Sequence, residues 1–118
     1  MTVNLLLDNA MATGEQLDSD NIPLAIHNLI KRITDIDQVE KVILFGSRAY
    51  GDHEQRSDVD LAVSAPKISL RKWLDIKFLA EETRTLLFIT LVRLEDCPES
   101  LRLRIEKEGV ILYEQKEN

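Results

Sequence analysis

The sequence predicts an α/β domain in which short strands alternate with amphipathic helices. Two patterns predict it. Apolar residues recur at spacings of three and four in segments near 22–34, 70–83 and 98–108. Between and after them stand short runs rich in aliphatic and β-branched residues, at 41–45, 59–64, 87–94 and 110–113. Length and composition fit one such domain. The chain has 118 residues, 44% of them apolar, enough to bury a core that removes about two-thirds of the unfolded surface from water.

Residues 1–20 join an apolar start (Val3, Leu5, Leu6, Leu7) to a polar stretch from Asp8 to Asp20. They form an N-terminal extension without an assigned structure, ahead of a domain over 21–114 and a tail over 115–118. Asp20 or Asn21 can cap the first helix, and Pro23 suits its first turn. Ile22, Ala25, Ile26, Leu29, Ile30 and Ile33 give that helix one apolar face, with His27 expected on the solvated side. Lys41–Phe45 reads as the first strand. After Gly46-Ser47, Arg48–Tyr50 is expected to form a helical turn closed by Gly51. Val59–Ser64 reads as the second strand, ended by Ala65-Pro66. Ser69 is the expected N-cap of the second long helix, with Leu70, Trp73, Leu74 and Phe78 as its buried stripe. Leu87–Leu94 is the third strand. Asp96 or Cys97, then Pro98 and Glu99, start the third helix, and Gly109 is expected to close it as a C′ residue. Val110–Tyr113 is the last strand.

The bulk properties exclude several classes. No run is long and apolar enough to span a membrane. No basic leader precedes Val3–Leu7, so a signal peptide is not expected. The single cysteine, Cys97, leaves no internal disulfide and fits a reducing cytoplasm. A net charge of −6 points away from general nucleic-acid binding, which normally needs a basic face. A basic protein partner, or a small anion held together with Mg²⁺, fits better.

The chemistry centres on VILFGSRAYGDHEQRSDVDLAV, residues 42–63. A strand ends in a Gly-Ser turn, and after ten intervening residues come Asp58 and Asp60. Residues i and i+2 of a strand share a face, so the two carboxylates aim at one point. Hard oxygen ligands in such a pair suit Mg²⁺, which prefers one or two carboxylates plus substrate phosphates. Gly46 lets phosphate oxygens approach the backbone, and Ser47 adds a hydroxyl and turn N–H groups. Arg48 can pair with phosphate or stand in solvent. A Gly-Ser pair can also be only a turn, and acids on a solvent face are ordinary. Aspartate is disfavoured in strands, however, and here two share one face opposite Val59 and Leu61. His27 and His53 lack metal-ligand spacing. Tyr50 can stack on a base or pack locally. Ser57 reads as a turn residue, Cys97 as a buried or capping one, and Trp73 and Phe78 as core.

Gly46-Ser47, ten residues, then Asp58-Val59-Asp60 resembles the signature of the nucleotidyltransferase superfamily, whose fold is that of DNA polymerase β. The small size, the SRAYG continuation and the ending LRIEKEGVILYE are similar to its minimal nucleotidyltransferase (MNT) members. The resemblance spans about residues 22–114. It implies the nucleotidyltransferase fold, a small mixed sheet flanked by helices. It implies that Asp58 and Asp60 are catalytic and hold Mg²⁺, and that Gly46, Ser47 and, less securely placed, Arg48 bind the nucleotide's phosphates.

The resemblance also exposes a departure. Active members carry a third carboxylate on the next strand, in a stretch like V-D-L-V. Here that stretch is Ile89-Thr90-Leu91-Val92, so Thr90 occupies the position. Alternation places Phe88, Thr90 and Val92 on one face. Glu95 and Asp96 lie past the strand end and reach in only through an unusual bend. General base catalysis contributes about 10²–10⁴-fold, which threonine cannot supply near neutral pH.

MNT proteins are often encoded beside an all-helical HEPN protein, and the pair resembles a toxin–antitoxin system. The expected function is therefore an antitoxin that neutralises a HEPN ribonuclease toxin by Mg²⁺-dependent transfer of AMP from ATP to a toxin tyrosine. One alternative is a catalytically weakened antitoxin acting by binding its toxin. Another is a transferase for a small molecule or RNA end, which normally needs a further substrate domain.

Overall fold

The structure, a computed structural model, describes residues 22–50, 58–83, 85 and 87–116, with only the backbone of Tyr50. The N-terminal extension, the Asp20/Asn21 cap, the Gly51 closure, His53, Ser57 and the Tyr50 ring lie outside the described residues. Helix α1 is Leu24–Thr34, with Pro23 as a cap that makes no side-chain hydrogen bond. Strand β1 is Lys41–Phe45. A short helix α2 covers Ser47–Tyr50. Strand β2 is Val59–Ser64, helix α3 Leu70–Glu82 and strand β3 Ile89–Arg93. A 3₁₀ turn at Leu94–Asp96 precedes α4, Glu99–Glu108, and β4 is Val110–Glu114.

The strands form one mixed sheet in the order β3-β2-β1-β4. β1 pairs antiparallel with β2 and with β4, whereas β2 and β3 run parallel through the α3 crossover. This is the small mixed sheet flanked by helices that the sequence predicts. Alternate strand residues feed opposite faces. Val42, Leu44, Val59, Leu61 and Val63 pack with Ile26, Ile30 and Ile33 of α1 and Ile76 of α3. Ile43 and Ala62 point the other way, against Ile105 of α4 and Leu94. α1 and α3 therefore cover one face, and α4 covers part of the other.

Several expectations need correction. His27 is not solvated but only 6% exposed. It borders the Ile26–Ile30 stripe and interacts with the Ile22 backbone, while its Nδ1 is buried without a hydrogen-bond partner. On α3, Leu70, Leu74 and Phe78 are exposed, while Ile76 is buried with Trp73, Leu79 and Ala80 packed beside it. The helix has apolar residues on two sides, and contact with the sheet selects the second. Its start is as expected: the Ser69 hydroxyl accepts a hydrogen bond from Lys72 N at 3.1 Å. α4 begins after Pro98, because the 3₁₀ turn takes Leu94–Asp96. Cys97 is partly buried, its Sγ 3.5 Å from Arg93 O. Gly109 closes α4 with φ −73°, in extended rather than left-handed backbone. Space explains the glycine: a Cβ there would lie 2.5 Å from Ile43 Cγ2 and 2.6 Å from Ile105 O.

Glu95 ties β3 to the C-terminal end of β2. Its carboxylate accepts from the Ser64 hydroxyl at 2.6 Å and from Ala65 N at 3.0 Å. Arg93 Nε donates to Ala65 O at 3.1 Å, and Arg93 Nη1 pairs with Asp96 at 2.7 Å. This clamp fixes the register between β2 and β3.

Candidate functional site

The opposite end of β2 carries the candidate site. Asp58 immediately precedes the strand rather than lying in it, and is exposed; Asp60 is its second residue and half-buried. Asp60 stands across from Phe45, the last residue of β1, so the turn after β1 meets the acidic pair. Gly46 has φ +77°, a left-handed conformation that favours glycine. A Cβ at Gly46 would fall onto the Asp60 carboxylate. Two constraints, backbone angle and space, thus require glycine where the turn adjoins the acid. Ser47 follows as the first residue of α2, half-buried, and Gly46 O accepts from Ala49 N at 3.0 Å.

Thr90 is the register partner of Asp60 on the parallel neighbour β3. Its hydroxyl hydrogen-bonds the Asp60 carboxylate. Burial pushes the Asp60 pKa up; the Thr90 hydrogen bond opposes this, and the Asp58 charge adds to the rise. Two carboxylates at i and i+2, one of them partly desolvated, repel in the absence of a cation. Together with the glycine-lined approach, this donor set fits a magnesium ion carried in with phosphate oxygens. Among the described residues no group of three or more His, Cys, Asp or Glu side chains could hold a metal. Glu95 is committed to Ser64 and Ala65 at the far end of β2, so it does not stand in for a third acid. Asp96 is likewise engaged there with Arg93.

Of the two settings open to Arg48, the structure excludes the solvated one. It is only 2% exposed, and burial lowers its pKa. It is therefore not a solvated loop residue; it is buried within α2, directly after Ser47. The structure thus brings together Gly46, Asp58, Asp60 and Thr90, with Ser47 adjacent and Arg48 beneath the surface.

Phe88 is a feature that motif spacing did not single out. Its carbonyl accepts a hydrogen bond from Val59 N at 3.0 Å, one residue from Asp58 and one from Asp60. The ring is 79% exposed. Alternation groups it with Thr90 and Val92, but no motif marks it as functional.

A family model described as polymerase beta, nucleotidyltransferase, matches residues 27–118. The chain belongs to this nucleotidyltransferase family. No curated protein sequence matches it significantly. Solved structures do. A toxin–antitoxin complex with AMP-PNP shares 24% identity over 75% of this chain and 73% of its own, with a TM-score of 0.59. The toxin–antitoxin pair MntA-HepT shares 23% identity over 78% and 72%, with a TM-score of 0.55. A mutant of that pair shares 24% identity over 86% and 76%, with a TM-score of 0.57. At these identities the likeness supports the nucleotidyltransferase fold. No helix among the described residues of this nucleotidyltransferase is long and apolar enough to cross a membrane.

Proposed function

We propose that this nucleotidyltransferase is the antitoxin of a toxin–antitoxin pair, and that it binds ATP with Mg²⁺ and transfers AMP to a tyrosine of a HEPN-type toxin. The observation that carries the nucleotide part is the junction of Gly46 with Asp60: a left-handed glycine at the end of β1 abuts a carboxylate of an i, i+2 acidic pair. The antitoxin part is supported by the toxin–antitoxin complexes among the structures of similar fold. The net charge of −6 suits a basic, RNA-binding partner.

In this reading, the Gly46-Ser47 turn orients the triphosphate, with the open glycine backbone admitting its oxygens. Asp58 and Asp60 hold magnesium, which when bound neutralises charge on the phosphate oxygens. Thr90 orients the Asp60 carboxylate through its hydroxyl. Arg48, buried next to the turn, supplies fixed positive charge beneath it.

A second reading has a specific observation behind it. The residue paired with Asp60 on β3 is a threonine, which offers no carboxylate. Slow transfer, with neutralisation resting on binding, follows from that. Mass spectrometry of a co-expressed HEPN partner tests both. Addition of AMP to a tyrosine supports transfer, whereas an unmodified partner in a stable complex supports neutralisation by binding. An unmodified partner that does not associate overturns the antitoxin reading.

A further inference from the structure

We propose that Phe88 is the acceptor-side platform of the transfer site, a ring on which an aromatic hydroxyl acceptor stacks while its oxygen faces the α-phosphate. The proposal rests on the nucleotidyl-transfer reading above and adds the residue that would position the acceptor.

The sheet order supplies the geometry. The phosphate turn follows β1, Asp60 stands on the central β2, and β3 lies on the far side. In-line displacement puts attacking and leaving oxygens on opposite sides of the phosphorus. With the leaving phosphates toward Gly46-Ser47, the acceptor arrives from the β3 side. Leu87, Ile89 and Leu91 turn inward beneath α3 and pack against the core. Phe88 and Thr90 therefore turn to the opposite face, the face of Asp60 and Val92. Both are exposed, and no other described strand lies beyond β3. Single exposed apolar side chains are ordinary; the position of Phe88 carries the inference. A phenyl ring offers offset or edge-to-face stacking to another aromatic ring and nothing comparable to an aliphatic alcohol. In the step itself, the acceptor oxygen bonds to the α-phosphorus as the bond to the bridging α–β oxygen breaks. Pyrophosphate leaves with that electron pair, and the hydroxyl proton passes to water.

The test uses the full chain with Mg²⁺ and α,β-methylene-ATP, which binds without transfer. Calorimetry first measures nucleotide affinity for the parent, Phe88→Ala and Phe88→Trp. Saturation-transfer NMR then titrates N-acetyl-tyrosinamide and N-acetyl-serinamide. The expected result is unchanged nucleotide affinity in all three proteins. The tyrosine amide should bind the parent, bind Phe88→Ala roughly three- to tenfold more weakly, and recover with Phe88→Trp. The serine amide should show no dependence on residue 88. Absent or Phe88-independent binding of the tyrosine amide, or equal dependence for both amides, overturns the platform while leaving the nucleotide reading intact. Loss of nucleotide affinity in Phe88→Ala overturns it too, since the ring would then stack on adenine. Failure of the parent to bind the nucleotide removes the nucleotide reading and the platform together.

Discussion

Gly46 and Asp60 occupy one small volume, so a single methyl group between them has a calculable effect. Gly46→Ala places a Cβ on the carboxylate and holds an L-residue in the left-handed region, which alone costs roughly 1–2 kcal/mol. We expect calorimetry to show ATP–Mg²⁺ binding weakened at least tenfold, with a modest loss of stability; unaltered binding would mean that the turn does not cradle phosphate. Asp60 makes the complementary case. Its pKa is raised, by burial first and by Asp58 as well, so the fold disfavours its charged form. At neutral pH without metal that charge opposes folding. Asp60→Asn should therefore melt higher than the parent in chelator, and added Mg²⁺ should no longer raise its Tm. Thr90→Asp should do the reverse: a third carboxylate beside two others lowers metal-free stability and raises transfer to the partner, read as labelled AMP incorporated. An unchanged transfer rate in a folded Thr90→Asp protein would mean that the β3 position does not limit catalysis.

At the scale of elements, what could be read from the sequence divides by how local its cause is. β1 and β2 have the bounds expected, because an apolar run closed by Gly-Ser and a run closed by Ala-Pro are written in adjacent residues. The Ser69 cap of α3 is equally local. The buried side of α3 is not. Leu70, Leu74 and Phe78 form one stripe, and Trp73, Ile76 and Ala80 another, so periodicity alone does not choose. Contact with α1 and β3 chooses. Ile76→Ala is accordingly expected to cost about 2–5 kcal/mol in denaturant unfolding, and Phe78→Ala under about 0.5 kcal/mol. His27 departs from its expected place for a related reason: its burial depends on packing outside its own helix, which periodicity does not register. Of the candidate site, the Gly46 turn and the Asp58–Asp60 pair that adjoins it are legible from spacing, and Thr90 from resemblance. The burial of Arg48 is not, since residue spacing does not show what packs around α2.

For the whole molecule, the buried His27 makes stability depend on pH. Burial lowers its pKa below 6.5, the Ile22 hydrogen bond opposes this, and the charge of Lys31 adds to the lowering. In the unfolded chain the imidazole regains its ordinary value, so below about pH 6.5 the unfolded state takes up the proton more readily. The contribution of neutral His27 is present above that pH and is lost progressively as pH falls from about 6.5 to the lower folded value. His27→Gln should lose less stability than the parent between pH 7.5 and 5.5, measured by urea unfolding; equal losses would place the titration elsewhere.

The order β3-β2-β1-β4 also has a temporal side. Among the described strands the first synthesised is central, and one of its two partners, Val110–Glu114, comes from the other end of the domain. A ribosome-bound chain holding residues up to 109 has β1 with one edge unpaired, and unpaired edges recruit other strands. The proposed nucleotide contacts, by contrast, draw on β1, β2 and β3, which are complete by residue 93. A nascent domain can therefore hold the pieces of its ligand site before its sheet is closed, and ligand present during synthesis would favour the correct pairing of β1 with β2 while β4 is awaited.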